Sequence, residues 1–342
     1  MSDETAPDDT MRWGPVADHP GAAAIDAALW QAARLMAEAD TVALACHVSP
    51  DGDALGAMLG LFHSLREAGR PSIASFSEPF VTAPHYRELP GLDLLTEPSA
   101  FLEAPELMIT FDTGSLARLG SLEKNARAAT DLVVIDHHIS NERYGTLNII
   151  DPDAAASGML VHRLIRLTGL PLNNDAAVCL YAALVCDTGR FQYDTTTDAT
   201  FEVARDLMGF DIPVSRLSRA LFEEHRMAYL KLLGDALERA QLVPEKHFVW
   251  TSVSRDDRER FGVEFDEVEG LIDILRRTAE ANVTCVIKQG DDGVQRVSLR
   301  GIGDVDVHRI AVAEGGGGHR FAAGFSTTDD PETVVERILA EL

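Results

Sequence analysis

"TVALACHVSPDGDALG", residues 41–56, holds an apolar run that stops abruptly at one histidine, two carboxylates and three glycine or proline breakers. Residues 41–46 read as a buried β-strand. His47, Asp51 and Asp53 then lie where that strand runs out into a turn, and "DALGAMLGLFHSLREAG" (53–69) continues as a helix. Asp, Gly and Pro alone make an ordinary polar turn. Imidazole and carboxylate together are also the ligand types of a divalent metal. Distant segments that supply matching groups decide between the two.

The same alternation of strand and helix continues along the chain. "PSIASF" (71–76), "ELMITF" (106–111) and "DLVVID" (131–136) read as strands; residues 22–39, 157–169 and 174–189 read as helices, the last capped by Asn174. Short β-branched strands alternating with helices predict an α/β domain built on a mostly parallel sheet covered on both faces. Residues 196–239 are helical and charge-rich. Beyond Gln241 come "HFVWTSV", "NVTCVIKQ" and "VQRVSLRG", a helix at 267–281 and a closing helix "PETVVERILAEL", the pattern of a smaller α+β domain. The division expected is a disordered acidic tail (1–20), a catalytic domain (21–195), a helical linker (196–240) and a substrate-binding domain (241–342).

Composition narrows the function. A net charge of -25 over 342 residues argues against a protein that coats long nucleic acid, which needs Lys and Arg to neutralise phosphates. No run approaches the roughly 18 apolar residues of a membrane helix, and "MSDETAPDDT" is the opposite of a secretory signal. Four scattered cysteines without paired spacing read as buried free thiols, which points to the cytoplasm.

Three strands end at candidate ligands: His47 with Asp51 and Asp53, Asp112 in "FDTGS", and Asp136-His137-His138. Asp187 in "VCDTGRF" sits where a long helix ends. In an open parallel sheet the carboxyl ends of the strands form the ligand crevice, so adjacent strands would bring these groups together. So many carboxylates do not ionise together in a dry site without cations. Mixed imidazole and carboxylate donors suit Mn²⁺, with Mg²⁺ or Co²⁺ as substitutes, and the absence of a thiolate argues against structural zinc. A pair of ions about 3.5–4 Å apart, bridged by one carboxylate, is a standard phosphoester-hydrolysing arrangement.

"HVSPDGD", "FDTG", "IDHH" and "CDTGRF" together resemble the four motifs of the DHH phosphoesterases, and "GGGGHRFAAGF" (315–325) resembles the signature of the accompanying DHHA1 domain. Within that family the chain looks like the bifunctional oligoribonuclease and pAp-phosphatase branch. The resemblance implies that His47, Asp51 and Asp112 hold one ion. Asp53, Asp112, His137 and Asp187 hold the other, with Asp112 bridging. Asp136 orients its neighbours, and His138 faces the substrate phosphate or leaving oxygen. In the second domain Gly316, Gly317 and Gly318 offer backbone N–H groups to phosphate, with His319 and Arg300 as further contacts; Arg190, in the first, reads equally as a phosphate contact or a surface residue.

The expected activity is hydrolysis of nanoRNA and pApA-type dinucleotides to mononucleotides and of pAp to AMP. It uses two Mn²⁺ ions in the cleft between two domains, and cyclic dinucleotides (c-di-AMP, c-di-GMP) are plausible for the same pocket. The partners implied are short RNA and small nucleotides, neither long nucleic acid nor membrane, and a second copy in a homodimer. The rivals are a nucleotide sensor without turnover and a manganese inorganic pyrophosphatase, whose second domain lacks the GGGGH pattern.

Overall fold

A computed structural model describes residues 21–342. The expected disordered tail, residues 1–20, lies outside the described residues. The chain falls into two units: the first runs through Thr82 and continues with Leu89–His137 and Asn141–Val214, and the second comprises Ala83–Glu88, His138–Ser140 and Ser215–Leu342.

The first unit contains α1 (Ala22–Glu38), β1 (Val42–Cys46), α2 (Gly52–Glu67), β2 (Ser72–Ser75), β3 (Leu107–Phe111), α3 (Glu123–Ala128), β4 (Asp131–Asp136), β5 (Leu147–Ile150), α4 (Ser157–Thr168), α5 (Asn174–Asp187) and α6 (Asp198–Leu207). Its strands form one parallel sheet in the order β2-β1-β3-β4-β5. β1 and β3 are buried along their whole length, which is why they read as unbroken apolar runs. β5 adds a strand the sequence reading did not place, because "LNII" is too short to stand out from its surroundings.

Register decides where the chemistry falls. Cys46 pairs with Phe111, and Phe111 with Ile135. His47, Asp112 and Asp136 are the next residues on three adjacent strands spaced about 4.8 Å apart. α2 and α5 bring the remaining acids to this end. A Cβ on Gly56 would lie 2.4 Å from the Cys179 carbonyl oxygen, so glycine lets the two backbones touch. Asn173, beside the start of α5, donates to Glu67 at the end of α2. The helices are therefore antiparallel, and Asp187 at the C-terminus of α5 meets Asp51 and Asp53 at the N-terminus of α2. The α5 cap itself is Asn173, whose Oδ1 accepts from the Ala176 N–H at 2.9 Å. Asn174 is already helical, since only the residue with extended backbone turns its side chain onto the helix end.

The second unit contains α7 (Val214–Phe222, which begins on the last residue of the first unit), α8 (Met227–Glu238), β6 (Gln241–Val243), β7 (Phe248–Val253), α9 (Arg255–Phe261), α10 (Leu271–Leu275), β8 (Val283–Gln289), β9 (Gln295–Gly301), α11 (Val307–Ala313), β10 (Gly317–His319), β11 (Ala322–Thr327) and α12 (Pro331–Glu341). Six strands make a mixed sheet, β10-β11-β9-β8-β7-β6, in which only β7 and β8 pair in parallel. The helix expected over 267–281 shrinks to α10. Leu271, Ile272 and Leu275 are buried, but of residues 276–282 only Ala281 is, so nothing pins a longer helix. Among the described residues no helix is long and apolar enough to cross a membrane. The four cysteines are free; Cys46, Cys179 and Cys285 are buried, whereas Cys186 is only partly so.

Candidate metal centre

His47 Nδ1 lies 2.9 Å from the Val48 carbonyl. A carbonyl only accepts, so Nδ1 carries the hydrogen and, in the neutral ring, Nε2 presents a lone pair. That Nε2 is buried with no hydrogen-bond partner among the described residues, 3.7 Å from Asp51 Oδ2 and 3.6 Å from Asp112 Oδ2. His137 repeats the arrangement: Nδ1 is 3.0 Å from the Ala154 carbonyl, and Nε2 is 3.6 Å from Asp112 Oδ1, 3.8 Å from Asp53 Oδ2 and 3.0 Å from Asp187 Oδ2. Asp112 thus turns one oxygen to each imidazole. The donor atoms of His47, Asp51 and Asp112 lie within 4.8 Å of one another, and so do those of Asp53, Asp112 and His137.

Lone pairs facing carboxylates repel unless a proton or a cation lies between them. Burial works to lower the His47 imidazole, yet Asp112 and Asp51 outweigh it and raise it to about 9. Against the same burial, Asp187, Asp53 and Asp112 raise His137 to about 10. Burial and the charges of Asp112 and Asp187 push the Asp53 carboxyl well above the usual range, and burial also raises Asp187. The polypeptide alone gathers protons at this point. A divalent cation meets the same demand, and the donor set of imidazole nitrogens and carboxylate oxygens fits one.

Several side chains hold this geometry. One oxygen of Asp51 caps α2 by accepting from the Asp53 and Ala54 N–H groups at 3.1 and 3.0 Å, while the other faces His47. The first turn of α4 grips Asp53, with the Ser157 and Gly158 N–H groups donating to its two oxygens at 2.6 and 2.9 Å. Ser157 Oγ also donates to Asp112 Oδ1 at 3.2 Å. Asp136 Oδ1 accepts from the His137 N–H at 2.7 Å, and its Oδ2 from Asn141 Nδ2 at 2.6 Å. Asp112 itself has φ +51°, a left-handed backbone that costs a non-glycine residue of order 1–3 kcal/mol and persists only where neighbours enforce it. Sequence reading missed Ser157 and Asn141. Asn141 follows the histidine pair closely enough to be suspected, but Ser157 lies 104 residues from Asp53 and carries no local signal.

The expected substrate contacts come from other segments of the chain. Arg190 is exposed in the first unit, among three consecutive left-handed residues after α5. In the second unit Arg300 on β9 and His319 on β10 both pair with Ala322 of β11, so the two side chains leave the same face of the sheet. The Arg300 Nε lies 3.6 Å from Asp273. The glycine run is not a linker: Gly317 and Gly318 belong to β10, and a Cβ on Gly316 would lie 2.1 Å from the Gly324 carbonyl oxygen. His138 stacks on His319 within this unit, ring centroids 4.3 Å apart.

Comparison with known proteins agrees with the motifs. The model of the DHH family N-terminal domain matches residues 41–184, and that of the DHHA1 domain residues 247–342. The chain is 29% identical over 316 residues to the bifunctional oligoribonuclease and PAP phosphatase NrnA of Thermus thermophilus, covering 91% of this chain and 93% of that one. It is 30% identical over 307 residues to the bifunctional oligoribonuclease and PAP phosphatase NrnA of Bacillus subtilis, covering 89% and 94%. An exopolyphosphatase-related protein of Bacteroides fragilis, 22% identical, shares the fold with a TM-score of 0.85 over 92% of this chain and 96% of that one. With a relative at this identity across nearly the full length of both chains, and both domain models in their expected order, the chain belongs to the DHH family.

Proposed function

We propose that this DHH-family hydrolase is a manganese-dependent phosphoesterase that cleaves short oligoribonucleotides to mononucleotides and pAp to AMP. The observation that carries the reading is the Asp112 carboxylate, which turns one oxygen to His47 and the other to His137 with Asp51, Asp53 and Asp187 around them. The likeness to two NrnA enzymes supports the choice of substrate. Two bound divalent ions would supply Lewis acidity and a nucleophile at neutral pH. His47, Asp51 and Asp112 would hold one ion, and Asp53, Asp112, His137 and Asp187 the other. Asp136, hydrogen-bonded to the His137 backbone, orients that residue. His138 donates a proton to the leaving oxygen. Arg300, His319, the N–H groups of Gly316–Gly318 and Arg190 bind phosphate, as arginine forks and exposed amides do. The reading extends to cyclic dinucleotides as further substrates, to Mg²⁺ or Co²⁺ as substitute ions, and to a homodimer in the cytoplasm.

The test is product release from pApA and pAp by metal-stripped protein, with Mn²⁺ or Mg²⁺ added back. AMP from both substrates only with metal is the expected result. Tight nucleotide binding without AMP at saturating Mn²⁺ would overturn it in favour of a sensor.

A further inference from the structure

The strained Asp112 turn has a fastener in a segment that supplies no ligand. Thr113 Oγ1 donates to the Phe111 carbonyl at 2.8 Å, closing the turn on its own strand. The Thr113 carbonyl then accepts twice, from Asn141 Nδ2 at 3.1 Å and from the Tyr144 hydroxyl at 3.0 Å. The Glu142 N–H donates to the Gly114 carbonyl at 2.9 Å. Three bonds from residues 141–144 thus land on two consecutive carbonyls just past a residue with φ +51°.

Asn141 does more than close the turn. Its Nδ2 also donates to Asp136 Oδ2 at 2.6 Å, while its Oδ1 accepts from the Arg143 N–H at 2.7 Å. Both partners of the amide nitrogen are acceptors and the partner of the oxygen is a donor, so the side chain has one satisfied orientation. A single amide therefore ties the turn that carries Asp112 to the carboxylate beside His137, across the gap between β3 and β4. Tyr144 is fixed in its turn: Thr110 Oγ1 lies 2.9 Å from its hydroxyl, whose one hydrogen goes to Thr113, so Thr110 donates.

We propose that Asn141, seconded by Tyr144, is a positioning residue that holds Asp112 and His137 at the separation two metal ions require. This rests on the two-ion reading above. Neither residue is a ligand, so their effect reaches the ions through the angles of Asp112 and His137, the role polar partners of ligands have in metal sites.

Asn141→Asp tests it most sharply, because it places a carboxylate oxygen against Asp136 and the Thr113 carbonyl where an N–H now donates. Metal-stripped wild type, N141D, N141A and Y144F are titrated with Mn²⁺ calorimetrically, their folding is followed by thermal melts, and the loaded proteins are examined by electron paramagnetic resonance. The expected result for the folded Asn141 variants is Mn²⁺ affinity weakened about 10- to 100-fold. The spectrum of a coupled ion pair gives way to that of isolated ions, and kcat falls with KM unchanged. Y144F moves the same way by less. A residue that only stabilised the fold would lower the melting temperature and leave affinity and spectrum as they are. Wild-type affinity and coupling in N141D and N141A overturn the proposal, and if those variants do not fold, wild-type values in Y144F do so. A wild type that binds no Mn²⁺ instead sinks the metal reading itself, and the positioning role with it.

Discussion

In the second unit Asp291 meets Arg258 at 2.6 Å, Asp329 meets Arg337 at 2.6 Å, and Asp257 meets Arg239 at 3.0 Å and Arg260 at 3.3 Å. Arg258 and Arg337 hold Asp291 and Asp329 below the usual carboxylate range. For Asp257, burial pulls upward, but Ser254 and Arg239 prevail and lower it. Asp53 and Asp187 of the first unit shift the opposite way, because buried Asp53 and half-buried Asp187 crowd together with Asp112, and the imidazole that opposes them belongs to His137. Both sets of acids come from one acidic chain. The difference is that one set is neutralised by the protein's own arginines, whereas the other leaves charge to be neutralised by something the polypeptide does not supply.

The harshest way to break this contrast is Asp112→Asn. It removes a charge facing both imidazoles, and asparagine tolerates the left-handed backbone. Nucleotide hydrolysis should fall to background, and Mn²⁺ should no longer raise the melting temperature as it does in the wild type. Melts with and without Mn²⁺ check this, and a Mn²⁺ shift in D112N as large as in the wild type would break the contrast.

Mn²⁺ itself should stabilise the wild type by mass action, about 2.7 kcal/mol for one site at a concentration 100 times its Kd. The pH dependence follows from the histidines. Raised to about 9 and about 10, His47 and His137 contribute stability that is fully present below the ordinary histidine pKa near 6.5 and lost as pH rises through the folded values. Asp53 acts in the same direction, since a carboxyl raised in the fold loses stability as pH climbs from its unfolded to its folded value. Metal-free protein should therefore melt progressively lower from about pH 6.5 to 10, and Mn²⁺ should flatten the curve. Melts across that range with and without Mn²⁺ measure it.

Two smaller changes sharpen the contrast. Ser157→Ala removes the hydroxyl on Asp112 but keeps the backbone bonds to Asp53, and should weaken Mn²⁺ affinity or activity about 10- to 100-fold with little loss of melting temperature. Asp257→Ala in the second unit should do the reverse. It removes the side chain that accepts from the Ser254 N–H in the α9 capping box and costs about 1 kcal/mol, with kcat unchanged.

How much of this was legible follows from how local each signal is. The apolar runs ending at His47, Asp112 and Asp136 announce both the strands and the chemistry, because a parallel strand buried on both faces is nearly all apolar until its end. Their alignment into one row needs the register of β1, β3 and β4, which no single segment encodes. The grip of Ser157 on Asp53 and Asp112 spans separate elements and leaves no local signal, whereas Asn141, close behind the histidine pair, could be suspected. α10 was overread for the opposite reason: helical composition continues past Leu275, but its buried anchors do not.

If the first unit's acids are arranged around ions they do not supply, equilibrium dialysis of metal-stripped protein against Mn²⁺ will show it. Two ions per chain are expected for wild type, and loss of at least one with D112N. Wild type that retains no Mn²⁺, or D112N that retains as much as wild type, would contradict it.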